Sequence, residues 1–198
     1  MSQHPFRFLG ALCVLPLVLC GTAQATIIEF TASLSGAAES PANSSTGTGT
    51  ADIFYNDTTH MMEVMVSFSN LVGVTTASHI HAATALPGTG TAGVATETPY
   101  FEGFPIGVTS GTYDDIFDLT LASSFNPAYV TAKGSVAAAE AALVTAMLEG
   151  KAYLNIHTKV YPGGEIRGFL AKVPDGSSTA LLLALGLFAL FGYGRRMG

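Results

Sequence analysis

The chain has 198 residues, of which 48% are hydrophobic and only 11% charged, with a formal net charge of −6. That balance offers no basic face for nucleic acid or for anionic lipid. The two cysteines, Cys13 and Cys20, both fall within the first 25 residues, so the remainder has no thiolate ligand, no cysteine nucleophile and no disulfide.

Residues 1–25 read as a secretory signal peptide. Arg7 supplies a basic start, residues 8–19 an apolar stretch, and Ala23-Gln24-Ala25 a small-x-small cleavage site. Signal peptidase is the partner this implies. Residues 26–172 are one domain by size, with 13 acidic and 5 basic residues. Its first strand is marked by Ile28, Phe30, Ala32 and Leu34 on one face, with Glu29, Thr31 and Ser33 opposite. A polar loop over 36–47 follows. Residues 50–55 and 61–68 read as strands joined by the turn Asn56-Asp57-Thr58-Thr59, a β-hairpin.

A short strand over 77–82 carries Ser78-His79-Ile80-His81. Residues 86–93 are a Gly/Pro-rich loop, and 96–112 are aromatic and irregular, with Pro99 and Pro105 limiting pairing. Residues 115–121 form another expected strand. One helix is expected over 136–149, with Ser135 as N-cap, an Ala/Leu-rich interior and Gly150 just past the end. The last two strands lie at 152–158 and 165–171, joined through Tyr161-Pro162-Gly163-Gly164. The expected fold is all-β: an antiparallel β-sandwich or Greek-key barrel with one inserted helix. A signal peptide and a C-terminal apolar anchor helix flank it.

The chemistry concentrates in two distant segments. Strand alternation puts His79 and His81 on one face, and Tyr153, Asn155 and His157 on one face of the later strand. If these strands are neighbours, three imidazoles converge, a set suited to zinc or copper with water or a carboxylate as fourth ligand. The competing reading makes the histidines, with Asn155, Glu165 and Arg167, a hydrogen-bonded network that pins the strands. Antiparallel pairing of the last two strands would set Asn155 and His157 beside Glu165, Arg167 and Phe169. Glu165 and Arg167, two apart, then read as an ion pair or as a ligand clamp. His60 reads as a solvated turn residue. Asp114, Asp115 and Asp118 lack calcium-loop spacing, and no Gly-x-Ser-x-Gly elbow supports a serine nucleophile.

The tail opens with Val173-Pro174-Asp175, continues as an apolar run over 180–191 and ends in Arg195 and Arg196. Residues 173–198 resemble the PEP-CTERM sorting signals in a Val-Pro-Asp variant, with a membrane segment over 180–194. That resemblance implies processing by an exosortase, transient anchoring through the tail, and delivery to the cell envelope or exterior. Residues 26–172 resemble the CHRD domain. The matching residues are Ala37-Ala38-Glu39-Ser40-Pro41, His79-Ile80-His81, residues 150–158, and Gly163-Gly164-Glu165-Ile166-Arg167-Gly168. The resemblance implies a β-rich extracellular module without a defined activity. A further resemblance, to copper/zinc superoxide dismutase, rests on His79, His81 and His157, which there would be copper ligands. The chain departs from that family in having no histidine between His81 and His157.

The sequence therefore points to an exported, non-enzymatic domain with a structural or binding role at the envelope or matrix, with extracellular polysaccharide or surface proteins as partners. The alternative is a copper- or zinc-binding domain, redox-active in one form, built on the three histidines.

Overall fold

The computed structural model describes residues 26–174. The leader, Asp175 and the expected anchor helix lie outside the described residues. The strands are β1 (Ile27–Ser35), β2 (Thr48–Asn56), β3 (Met61–Ser69), β4 (Thr75–His81), β5 (Gly111–Asp118), β6 (Tyr153–Thr158), β7 (Ile166–Phe169) and β8 (Ala171–Lys172). Between β5 and β6 come two helices, α1 (Pro127–Lys133) and α2 (Val136–Leu148).

All eight strands belong to one antiparallel sheet, ordered β4-β6-β7-β1-β2-β3-β5, with β8 also pairing β1. The sheet curls into a half-barrel. This corrects the expected sandwich or Greek-key barrel: no second sheet covers the core among the described residues. Its place is taken by α2, through Ala139, Leu143, Ala146 and Met147, and by loop aromatics such as Phe101, Phe104 and Phe125, all buried. These residues cover the same apolar stripe a second sheet would, so the strand pattern alone does not distinguish the two.

The meander β1-β2-β3 follows the alternation. Phe30, Ala32 and Leu34, then Ala51, Ile53 and Tyr55, then Met62, Val64, Val66 and Phe68 are all buried. The β2–β3 turn is built by Asn56, whose Oδ1 accepts from the N–H groups of Thr58 and Thr59. β5 begins earlier than expected, at Gly111, and buries Tyr113 and Phe117 while Ile116 stays exposed.

Helix α2 has Ser135 at its N-cap, accepting from Ala138 N–H. Two helices stand where one was expected. Asn126 caps α1 by accepting from Ala128 N–H, Pro127 occupies its first turn, and Gly134 ends it at φ 90°. The final strand is also split. β7 pairs β6, and after Leu170 the short β8 pairs β1.

β4 is the element that matters most for the site. It follows β3 in the chain yet lies at the opposite end of the sheet, against β6. Its free edge is covered by residues 93–101. Ala95 N–H donates to the Ile80 carbonyl, Phe101 N–H to the Ser78 carbonyl, and Ala82 N–H to the Gly93 carbonyl.

Candidate functional site

At the β4-β6-β7 end the period of two divides the side chains cleanly. Ile80, Leu154, Ile156 and Ile166 enter the core with no exposed surface. The opposite face receives His79 and His81 from β4, Tyr153, Asn155 and His157 from β6, and Arg167 from β7. Register fixes their neighbours: His79 stands opposite Asn155, His81 opposite Tyr153, and Asn155 opposite Arg167.

The three imidazoles converge. Ring centroids are separated by 5.6 Å (His79–His81), 5.1 Å (His79–His157) and 5.9 Å (His81–His157). One nitrogen from each ring lies within 4.8 Å of the other two. The remaining nitrogen of each ring is held by a backbone carbonyl: His79 Nε2 by Pro99 at 2.7 Å, His81 Nδ1 by Ala92 at 2.9 Å, and His157 Nδ1 by Pro162 at 2.9 Å. A carbonyl only accepts, so each of these nitrogens carries the proton. The other nitrogens, His79 Nδ1, His81 Nε2 and His157 Nε2, are then bare lone pairs, and all three are buried without a hydrogen-bond partner.

Electrostatics agree with the tautomers. Burial, reinforced by the neighbouring histidine, lowers His79 to about 4. Burial likewise lowers His81 to about 4 against the raising effect of the Ala92 carbonyl. His157 is lowered by burial as well. At neutral pH the rings are uncharged, the form in which imidazole binds a metal.

A second layer fixes these rings. Tyr153 stacks on His81 with centroids 4.8 Å apart and planes 4° from parallel. Its hydroxyl meets the N–H and carbonyl of Ala92, the same carbonyl that holds His81. Arg167 lies over Tyr153 at 4.7 Å. It donates from Nε to Ala38 O at 2.5 Å and from Nη1 to Gly90 O at 3.0 Å. One guanidinium therefore ties together the two loops that flank the site.

Glu165 and Arg167 do not share a network, contrary to the sequence expectation. Glu165 precedes β7 and is fully buried. Its carboxylate accepts from Ser45 Oγ, Thr158 Oγ1 and the N–H groups of Val72 and Gly73. Burial alone would raise it, but these four donors outweigh that and hold it below the ordinary carboxylate range. The carboxylate nearest Arg167 is that of Glu39, 3.8 Å from Nε. Glu39 sits in a polar loop with no periodicity, and nothing in its local sequence marks it as buried. His60, expected to be solvated, reaches Glu140 on α2 at 2.7 Å, and Tyr55 donates to the same oxygen. Asp114 and Asp115 are exposed on β5.

The family model of the CHRD domain matches residues 30–170, and a VPDSG-CTERM motif matches residues 172–197. No curated protein and no solved structure matches the chain.

Proposed function

Given that the chain belongs to the CHRD-domain family and carries a C-terminal sorting motif that implies export, we propose that it is an envelope-associated domain that binds zinc or copper through His79, His81 and His157. On this reading residues 1–25 are removed by signal peptidase. The segment over 180–194 anchors the chain in the membrane until an exosortase-like enzyme acts on the tail that begins Val173-Pro174-Asp175.

The observation that carries the metal assignment is the matched polarity of the three rings. Each gives one nitrogen to a carbonyl and keeps the other buried and unpartnered, and one nitrogen of each ring lies within 4.8 Å of the other two. An unpartnered buried acceptor costs about 1–3 kcal/mol. Three facing one another are a large local penalty that hydrogen bonds within the cluster do not relieve. A cation relieves all three at once. Carbonyl-held N–H groups are also the usual means of fixing a ligating histidine. Zinc–nitrogen bonds of about 2.0–2.1 Å imply donors about 3.4 Å apart. An ion would therefore draw the rings inward from their present spacing by modest rotation. The fourth position falls to water or an exogenous donor.

A metal-free scaffold at the surface, holding polysaccharide or other surface proteins, is the second reading. It is favoured by Arg167 and Glu165, each of which pins loops without touching the histidines. Elemental analysis of the exported chain beside a His79→Ala/His81→Ala variant separates the two. Stoichiometric zinc or copper that disappears in the variant supports the metal site. A metal-free wild type that melts well above the variant supports the scaffold.

A further inference from the structure

The buried face that holds the histidines also holds a carboxyl group one of whose oxygens has no hydrogen-bond partner. Glu39 Oε1 is buried and unbonded. Glu39 Oε2 lies 3.8 Å from Arg167 Nε, beyond a hydrogen bond, while Arg167 spends its Nε–H on Ala38 and an Nη1–H on Gly90. From β6, Asn155 presents a second unpartnered acceptor, Oδ1. Glu39 Oε1 and Asn155 Oδ1 each lie 2.7 Å from the point where a Cβ on Gly164 would stand. The Asn155 amide nitrogen stands at 2.5 Å from the same point, yet Glu39 Oε1 has no hydrogen-bond partner, and a buried oxygen so placed favours the protonated carboxyl.

The groups facing Glu39 are few. Arg167 comes from β7, Asn155 from β6, and the Ser40 N–H from its own loop, while Tyr161 and Gly164 belong to the turn beyond β6. Burial raises the carboxyl to about 7 against the lowering effects of Arg167 and the Ser40 N–H. Glu165, the other buried carboxylate near this end of the sheet, already has four donors and is not free to respond. A dication on the histidines adds two positive charges beside the fixed guanidinium, in a buried setting where unpaired charge is costly.

Resting on the metal reading above, we infer that Glu39 is the proton-coupled counter-charge of the histidine site: a divalent cation bound there expels the Glu39 proton, leaving a carboxylate that balances the ion and Arg167. The proton leaves as H⁺ from the carboxyl oxygen, with no change in oxidation state. Its way out is the cavity of about 340 Å³ lined by Glu39, Asn43, Tyr161 and Gly164, which opens to solvent.

The test is calorimetric titration of the exported chain with Zn²⁺ alone, in buffers of differing ionisation enthalpy, beside a Glu39→Gln variant. At about pH 6 the wild type should release about one proton per ion more than the variant, and at about pH 8.5 the difference should vanish. Wild-type affinity should climb roughly tenfold per pH unit below about pH 7 and flatten above it, a dependence Glu39→Gln reduces. Equal proton counts in the two proteins at about pH 6 overturn the role of Glu39 and leave the histidine site standing. Wild-type affinity that is flat from about pH 5.5 to 7 does the same without needing the variant to fold. Zn²⁺ failing to bind the wild type at any pH brings down both.

Discussion

Replacing His79 with leucine in chelator-treated protein asks whether this face was built for stability or for a ligand. The substitution removes the Nε2 hydrogen bond to Pro99, a loss of about 1 kcal/mol, and strands that carbonyl. It also removes the unpartnered Nδ1, which costs the native protein about 1–3 kcal/mol. An apolar side chain of similar size at a 6% exposed position regains burial. These contributions nearly cancel, so the metal-free variant should fall within about 1 kcal/mol of metal-free wild type. Zinc at a hundredfold excess over Kd should stabilise the wild type by about 2.7 kcal/mol and the variant by far less. For a domain of this size that is roughly 5–10 °C in Tm. Thermal melts followed by circular dichroism, with chelator and then with Zn²⁺, read both quantities. A variant that loses about 3 kcal/mol or more, alongside a wild type indifferent to zinc, would refute the reasoning and make the histidines structural pins.

Gly168→Ala should destabilise by about 3 kcal/mol or more, because its Cβ would stand 2.4 Å from the Ser33 carbonyl oxygen, a backbone atom that cannot swing aside. A urea midpoint that barely moves would contradict this. The metal-free protein should be most stable near pH 6.5. His79 and His81, depressed from 6.5 to about 4, lend stability that is intact above 6.5 and lost as pH falls toward 4. Glu39, raised from 4.5 to about 7, lends stability that is full below 4.5 and lost as pH rises through 7. Every tenfold change in a group's proton affinity on folding is worth about 1.4 kcal/mol. Melts across this range should show the peak, and Glu39→Gln should remove the alkaline decline; a flat profile counts against both assignments. Deleting residues 173–198 should move the protein from the envelope fraction to the medium, and unchanged fractionation would argue against the sorting assignment.

Much of the fold is legible because strand alternation is a local signal. The β1-β2-β3 meander, helix α2 with its Ser135 cap, and the shared face of His79 and His81 are written in neighbouring residues. The adjacency of β4 and β6 is not, because a crossover to the far edge of a sheet leaves no local trace; from sequence it stays a condition on which the site depends. Helix α1 does carry a signal, in Asn126-Pro127 and Gly134, but its seven residues are too few for apolar periodicity to register. Glu165 falls on the wrong face when alternation is extended one residue before β7 begins. Glu39 is invisible as a site residue. Its segment Ala37-Ala38-Glu39-Ser40-Pro41 carries part of the family resemblance, but its burial comes from Arg167 and the turn at Gly164, far away in sequence.

The register of β4 against β6 also sets a timetable. A growing chain displays His79 and His81 long before His157 exists, and even then β6 must dock before the third ring arrives. A lone His-x-His pair offers only two of the three lone pairs, even with the carbonyls of Pro99 and Ala92 to aim them. On the metal reading, selection of an ion therefore waits for the finished domain, and the ion comes from whatever the compartment of final folding supplies.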